Sequence, residues 1–150
     1  VCEDIEFSIF VIYSCYFVLY FLDAYVYHKL RTSISAFFKQ VYRFGAARIN
    51  IAERHPKQLK PFHWFPAIFT IGLTLGIVFS TPFTGYWAST LYLAYFLLIV
   101  LFALVRFRGD IVVALLCVVT TVVQMAGYGI GFLANFFEVR IRGNKKGIDL

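Results

Sequence analysis

The residues of this chain that can take part in chemistry lie mainly in its first third. Two adjacent carboxylates, Glu3 and Asp4, stand near the start, and Glu6 follows two positions later. An ionised carboxylate can accept a proton from a reacting hydroxyl group. Acidic residues also suit the first turn of a helix, where the helix dipole favours negative charge. The carboxylates alone therefore leave a catalytic and a structural interpretation open.

A second candidate pair, Gln40 and Arg43, is three residues apart, which places both side chains on one face of a helix. A guanidinium group in that position can hold diphosphate oxygens or an acceptor through two parallel hydrogen bonds. The same arginine can instead lie at a membrane surface and bind anionic lipid headgroups. Both interpretations of Arg43 remain open at this stage.

The element that must position this pair is a helix from Ser33 to Arg54. Apolar residues recur along it at steps of three and four, while Lys39 and Arg43 fall on other faces. The apolar positions are Ile34, Phe37, Val41 and Phe44. The pattern predicts a basic amphipathic helix in the plane of the lipid headgroups, followed by a linker, the two together covering residues 33–60.

The overall composition excludes a water-soluble globule. Hydrophobic residues make up 61% of the chain and charged residues 15%, against about 45–50% and about 25% in soluble domains. Disorder is excluded as well, because disordered chains are poor in apolar residues. Residues 61–105 and 111–137 contain no Asp, Glu, Lys or Arg. They predict three transmembrane helices at about 65–80, 87–105 and 111–134 within a membrane region of 61–150.

The distribution of charge predicts an orientation. The formal net charge is +6, and eight Lys or Arg residues but one acid, Glu53, lie between Lys29 and Lys60. Because these basic residues flank apolar segments, we expect lipid rather than nucleic acid as the anionic partner. The positive-inside rule places the N-terminal part in the cytoplasm. Three crossings would put the basic tail after residue 139 outside, unless the Gly-rich end of the third segment turns back.

Residues 1–32 follow a different pattern. The acidic residues open a predicted helix, and short strands are predicted at 16–20 and 24–27 around a turn at Asp23. A helix and two strands do not form a stable domain by themselves. We expect this segment to be the end of an α/β domain that begins upstream. The expected fold class is mostly α and membrane-embedded, with an α/β remnant before the interfacial helix and the three spans.

Three stretches, taken in order, resemble the C-terminal part of membrane-anchored family-2 glycosyltransferases, which have a GT-A catalytic domain. The resemblance covers about the first 65 residues by motif and the remainder by architecture only. The stretches are EDIEFSI at 3–9, DAYVYHK at 23–29 and FKQVYRFG at 38–45. The chain is thereby identified as a C-terminal fragment of such an enzyme, located in the cytoplasmic (inner) membrane.

The resemblance implies a role for each candidate residue. Asp4 corresponds to the general base that deprotonates the acceptor hydroxyl, with Glu3 orienting or tuning it, and the reaction inverts the anomeric centre. Gln40, Arg43 and Phe44 correspond to the residues that bind the diphosphate or the acceptor. His28 corresponds to a ligand of the divalent metal, Mg or Mn, that the family uses with its nucleotide-sugar donor.

The sequence departs from the family pattern at two places. Phe44 stands where the family motif usually has Trp, and the metal-binding Asp-x-Asp is not present in these 150 residues. This fragment alone is therefore expected to be inactive, whereas the complete enzyme would transfer a sugar to a lipid-linked or cell-envelope glycan acceptor. The alternative is a small non-enzymatic membrane subunit, packed through the GxxxG pairs Gly72/Gly76 and Gly127/Gly131.

Overall fold

The computed structural model describes residues 3–17, 19, 21, 25–27, 33–78 and 85–143, with the backbone alone at 3–6 and 85–88. Within these residues the regular elements are five α-helices and two short 3₁₀ helices. The α-helices are α1 (Glu3–Tyr13), α2 (Ile34–Arg54), α3 (Phe65–Val78), α4 (Gly85–Arg106) and α5 (Ile111–Arg140). The 3₁₀ helices Pro56–Gln58 and Pro61–Trp64 join α2 to α3.

The strands predicted at 16–20 and 24–27 are not confirmed. Of these two stretches, residues 16, 17, 19 and 25–27 are described, and none of them forms a strand. A strand needs a neighbouring strand to pair its backbone groups, and the described part of the chain contains no sheet in which they could take part. The described architecture is helical throughout.

Three segments are long and apolar enough to cross a membrane: Pro61–Val78, Ser89–Arg106 and Ile111–Arg140. The predicted spans fall on these segments, but the third helix runs six residues past its predicted end. Helix α5 has 30 residues, which corresponds to about 45 Å. The alternative left open by the sequence, a reversal of the chain at the Gly-rich end of this segment, does not occur, because the helix continues unbroken through Gly127, Gly129 and Gly131.

The ends of these helices are set by capping residues and a tight turn. The side chain of Ser33 accepts a hydrogen bond from the backbone N–H of Ala36 and starts α2, while Asp110 does the same for Val113 at the start of α5. Between α4 and α5 the chain turns at Gly109, whose φ of 86° lies in the left-handed region that glycine tolerates best. Four residues therefore suffice to join the two longest helices.

Helices α2 and α5 form the main packing interface of the molecule. A side chain at Gly45 would collide with the backbone of Tyr128, and one at Gly131 would collide with the backbone of Tyr42. Glycine at these positions lets the two backbones approach closely, as small residues do where transmembrane helices pack. The contacts follow the same order along both helices: Val41 lies against Gly127, and Glu53, further along α2, pairs with Arg140, further along α5. The helices therefore run in the same direction.

This packing changes the interpretation of α2. The predicted apolar stripe included Ile34 and Phe44, which are 53% and 41% exposed. The buried positions are mostly small or β-branched: Val41, Gly45, Ala46, Ala47, Ile49, Ile51 and Ala52. Because close contact with α5 selects small side chains, the buried face begins at Val41 and follows the second half of the helix.

A polar contact fastens the same interface. The side-chain amide of Asn135 on α5 is fully buried and donates to the backbone oxygen of Ala46 at 2.5 Å and to Oδ1 of Asn50 at 2.7 Å. Asn135 thus faces another helix of the chain itself. A satisfied buried amide of this kind fixes the register of the two helices.

Helix α3 joins the bundle against both α4 and α5. The hydroxyl of Thr70 lies 2.7 Å from the carbonyl oxygen of Pro66 and 3.0 Å from that of Met125. The hydroxyl of Tyr92 on α4 donates to the carbonyl oxygen of Phe69 at 2.9 Å. The core at the base of α3 contains Ile49, Ala67, Phe132 and Val139. The linker and the start of α3 are consequently held beside the second half of α5.

Candidate functional site

A groove runs along the first half of α2, on the side that does not contact α5. It has a volume of about 490 Å³. Its lining residues are Ser33, Ser35, Ala36, Lys39, Gln40, Arg43 and Phe44. Gln40 and Arg43 share this cavity, as their spacing on a helix predicts, and Phe44, which the sequence places on the apolar stripe, lines it as well.

The lining of the groove is suited to an anion next to a flat apolar group. Lys39 and Arg43 are exposed cations, and Gln40 adds an amide that can donate or accept hydrogen bonds. Ser33 and Ser35 contribute hydroxyl groups at the capped end of the helix. Phe44 exposes part of its ring at the other end of the lining. A phosphate or diphosphate carried by a sugar matches this combination of groups.

Sequence reasoning missed part of this groove. Ser35 and Lys39 line the groove, but neither is among the candidate site residues that the sequence predicts. The sequence does contain a pattern that predicts this lining. Ser35, Lys39 and Arg43 are spaced four residues apart and therefore lie on one face of the helix. The pair Gln40 and Arg43 is thus part of a longer polar stripe that begins at the helix cap.

The carboxylates Glu3 and Asp4 form the first turn of α1. Their side chains lie outside the part of the structure that is described. The other end of α1 is located by Tyr13, whose ring stacks on His55 at a centroid distance of 5.9 Å. His55 caps the C-terminal end of α2. This described contact joins α1 to the end of α2 away from the groove.

The candidate metal ligand, His28, lies outside the described residues. Within the described side chains, no group of three or more His, Cys, Asp or Glu residues could hold a metal ion. The Asp-x-Asp expected from the resemblance is also missing from the sequence. The described side chains do not fit the metal site that the resemblance implies.

His63 is a buried polar residue that sequence reasoning did not single out. It is 8% exposed, at the end of the linker between α2 and α3. Its Nδ1 accepts a hydrogen bond from the backbone N–H of Lys60 at 3.0 Å. A buried imidazole held in this way presents its second ring nitrogen as a donor. Its neighbour Trp64 packs edge-on against Phe132 and Phe136 of α5.

Comparison with known proteins finds no family model, no curated protein sequence and no solved structure that matches this chain. The groove on α2 and the three apolar helices are therefore interpreted from their own geometry and chemistry.

Proposed function

We propose that this chain is the membrane-proximal part of an inverting glycosyltransferase. The enzyme would transfer a sugar from a nucleotide-sugar donor to a lipid-linked or cell-envelope glycan acceptor at the cytoplasmic face of the inner membrane. The observation that supports this most is the groove, in which Gln40, Arg43 and Phe44 line a single cavity of about 490 Å³. These are the residues that the family resemblance assigns to the diphosphate or the acceptor.

The groove has the chemistry that such a substrate needs. Lys39 and Arg43 supply positive charge, and Arg43 can bind two phosphate oxygens at once. Phe44 offers an exposed ring on which a sugar face can stack. The substrates of the proposed reaction carry a diphosphate joined to a sugar, whether in the nucleotide-sugar donor or in a lipid-linked acceptor. The groove therefore fits the shared part of both molecules.

The proposed reaction is a single displacement. The acceptor oxygen forms a bond to the anomeric carbon while the bond from that carbon to the diphosphate oxygen breaks. The carboxylate of Asp4 takes the proton of the acceptor hydroxyl, and the nucleoside diphosphate leaves with the bonding electron pair. Attack from the face opposite the leaving group inverts the anomeric centre. A guanidinium group at Arg43 would stabilise the charge that develops on a diphosphate bound there.

The alternative proposal is a non-enzymatic membrane subunit that binds other helices through its GxxxG pairs. For the pair on α5, the described contacts are internal. A side chain at Gly127 would meet Val41 and Phe38, and one at Gly131 would meet Tyr42, all on α2. Because α2 occupies this surface, the glycines of α5 favour packing within the chain over recruitment of a partner. This observation weighs against a scaffold that recruits its partners through that pair.

The test is a transfer assay on membranes that contain the complete reading frame of which this chain is part. Labelled nucleotide sugars are supplied with Mg²⁺ or Mn²⁺, and label is followed into the lipid and glycan fractions. We expect Asp4→Asn to lower the transfer rate by roughly a hundredfold or more, as loss of a general base does. Arg43→Gln should weaken substrate binding and therefore raise KM. The amount of protein inserted in the membrane should stay the same.

The matched control is Lys57→Gln, which removes a positive charge from an exposed linker residue outside the groove. It should transfer sugar like the unchanged protein. If Arg43→Gln and Lys57→Gln lowered the transfer rate equally, the effect would come from net charge. The groove would then not be the substrate site. Unchanged transfer in Asp4→Asn would remove Asp4 as the base.

A further inference from the structure

The face of α5 that packs against α2 continues past their contact. Gly127 and Gly131 meet α2. Toward the start of α5 the same face continues, at steps of three and four residues, through Gln124, Thr120 and Leu116. These last three residues, here called the Gln124 stripe, are exposed. Among the described residues, α2 covers this face from Gly127 onward and leaves the Gln124 stripe open.

Gln124 lies in the middle of the apolar part of α5. It is the central residue of the stretch 111–137, which contains no Asp, Glu, Lys or Arg. With Asp110 at one surface of the membrane, Gln124 lies about 20 Å along the helix, within a hydrocarbon core of about 30 Å. Water is absent at this depth, so solvent cannot satisfy the side-chain amide.

The amide of Gln124 differs from its polar neighbours on α5. Thr120 and Thr121 donate their hydroxyl groups to backbone carbonyl oxygens of their own helix, at 2.8 and 2.7 Å, and Asn135 bonds to α2. The amide of Gln124 has no hydrogen-bond partner among the described residues. An unpaired amide is strongly unfavourable in hydrocarbon, and lipid acyl chains offer neither a donor nor an acceptor. The partner of this amide must therefore be another group that enters the membrane.

The amide of Gln124 is suited to pair with the same amide of a second chain. Two copies inserted in the same orientation bring each residue of α5 to the same depth, so a two-fold axis along the membrane normal places Gln124 opposite its counterpart. A carboxamide both donates and accepts hydrogen bonds and therefore complements itself. We propose that the Gln124 stripe is the contact surface of a homodimer, in which the two Gln124 amides hydrogen-bond to each other between paired α5 helices. The groove is lined by residues of α2 and its cap, so the dimer does not depend on the proposed substrate site.

Cysteine cross-linking of the complete protein in its membrane tests this contact. Thr120→Cys and Val119→Cys are made in a protein whose native cysteines are replaced by alanine. Both positions are exposed and lie at the same depth, but Val119 points about 100° away from Thr120 around the helix. A disulfide forms only where two Cα atoms come within about 7 Å. Oxidation with copper phenanthroline should therefore give several-fold more dimer for Thr120→Cys than for Val119→Cys.

The role of the amide is tested by adding Gln124→Leu to the Thr120→Cys protein. The change makes α5 more apolar, so membrane insertion should not suffer. We expect the dimer yield to fall roughly threefold to tenfold, as loss of hydrogen bonds between transmembrane helices does, and Gln124→Asn, which keeps an amide, to retain most of it.

Equal yields for Thr120→Cys and Val119→Cys would indicate random collisions and overturn the proposed contact. An unchanged yield in the Gln124→Leu protein would overturn the role of the amide. The mass of the cross-linked product identifies the partner: twice the mass of the chain is expected, and any other mass would overturn the homodimer.

Discussion

Gly131 on α5 lies against the carbonyl group of Tyr42 on α2 so closely that no side chain fits between them. Gly127, one turn earlier on α5, also faces α2. A Cβ atom added there would lie 2.5 Å from Cγ2 of Val41. The first contact is to backbone and the second to a side chain. The two glycines of one GxxxG pair should therefore differ in how much an added methyl group destabilises the protein.

We predict that Gly131→Ala destabilises the protein more than Gly127→Ala does. Alanine gains about 1 kcal/mol of helix propensity over glycine in both cases. At Gly131 this gain is outweighed because the helices must separate, and overpacking costs about 1–3 kcal/mol. At Gly127 the new methyl group meets Cγ2 of Val41, and this buried β-branched side chain must change its rotamer, which is a smaller adjustment than the separation of two backbones. Loss of helical circular dichroism during SDS titration of the detergent-solubilised protein measures both variants.

The Gly127 variant serves as the control for the Gly131 variant, since both add the same methyl group to the same helix. Equal destabilisation would mean that the two helices separate easily along their whole contact. A neutral Gly131→Ala would contradict the close approach of α2 and α5.

The buried amide of Asn135 gives a second prediction. Asn135→Leu keeps the approximate side-chain volume but removes the donor to Asn50 and to the Ala46 carbonyl. Leaving these acceptors without that donor should lower the free energy of unfolding by about 1–3 kcal/mol. A double-mutant cycle with Asn50→Ala, measured by the same titration, should give a coupling above about 0.5 kcal/mol. Strictly additive effects would show that the two amides do not interact.

A third prediction concerns Phe44 in the groove. Its ring is 41% exposed, so Phe44→Ala should change the free energy of unfolding little. If the ring stacks on a sugar as proposed, Phe44→Ala should lower kcat/KM for transfer about tenfold, since aromatic contacts contribute about 1 kcal/mol or more. Phe44→Trp should retain activity. Unchanged kcat/KM in Phe44→Ala would remove the stacking role.

Part of this architecture follows directly from the sequence, and part does not. The charge-free runs predict the three apolar helices, because a helix without charged residues has few other stable environments than the membrane. The shared face of Gln40 and Arg43 also follows from local spacing. The pairing of α2 with α5 does not, because Val41 and Gly127 are far apart in the sequence and only the tertiary fold brings them together. The strand prediction at 16–20 depended on local propensity, which tertiary context can override.

The ion pair between Glu53 and Arg140 also constrains how the chain is threaded through the bilayer. Two charged residues in contact lie on the same side of a membrane, so the chain between them must cross an even number of times. The three apolar helices cannot then all cross completely. Helix α3 is the shortest of the three, with 14 residues, and its whole apolar segment Pro61–Val78 has 18, about 27 Å against a hydrocarbon core of about 30 Å. We expect it to enter and leave on one side, while α4 and α5 form the crossing hairpin.

Single cysteines at Lys57, Arg108 and Arg142, in a variant without the native cysteines, test this threading. An impermeant maleimide should label the first and third from the same side, and the second from the opposite side. Labelling of Lys57→Cys and Arg142→Cys from opposite sides would instead require an odd number of crossings. Glu53 and Arg140 could then not form an ion pair in the inserted protein. With an even number, the basic tail returns to the side of the membrane that carries Glu53 and the basic linker after α2.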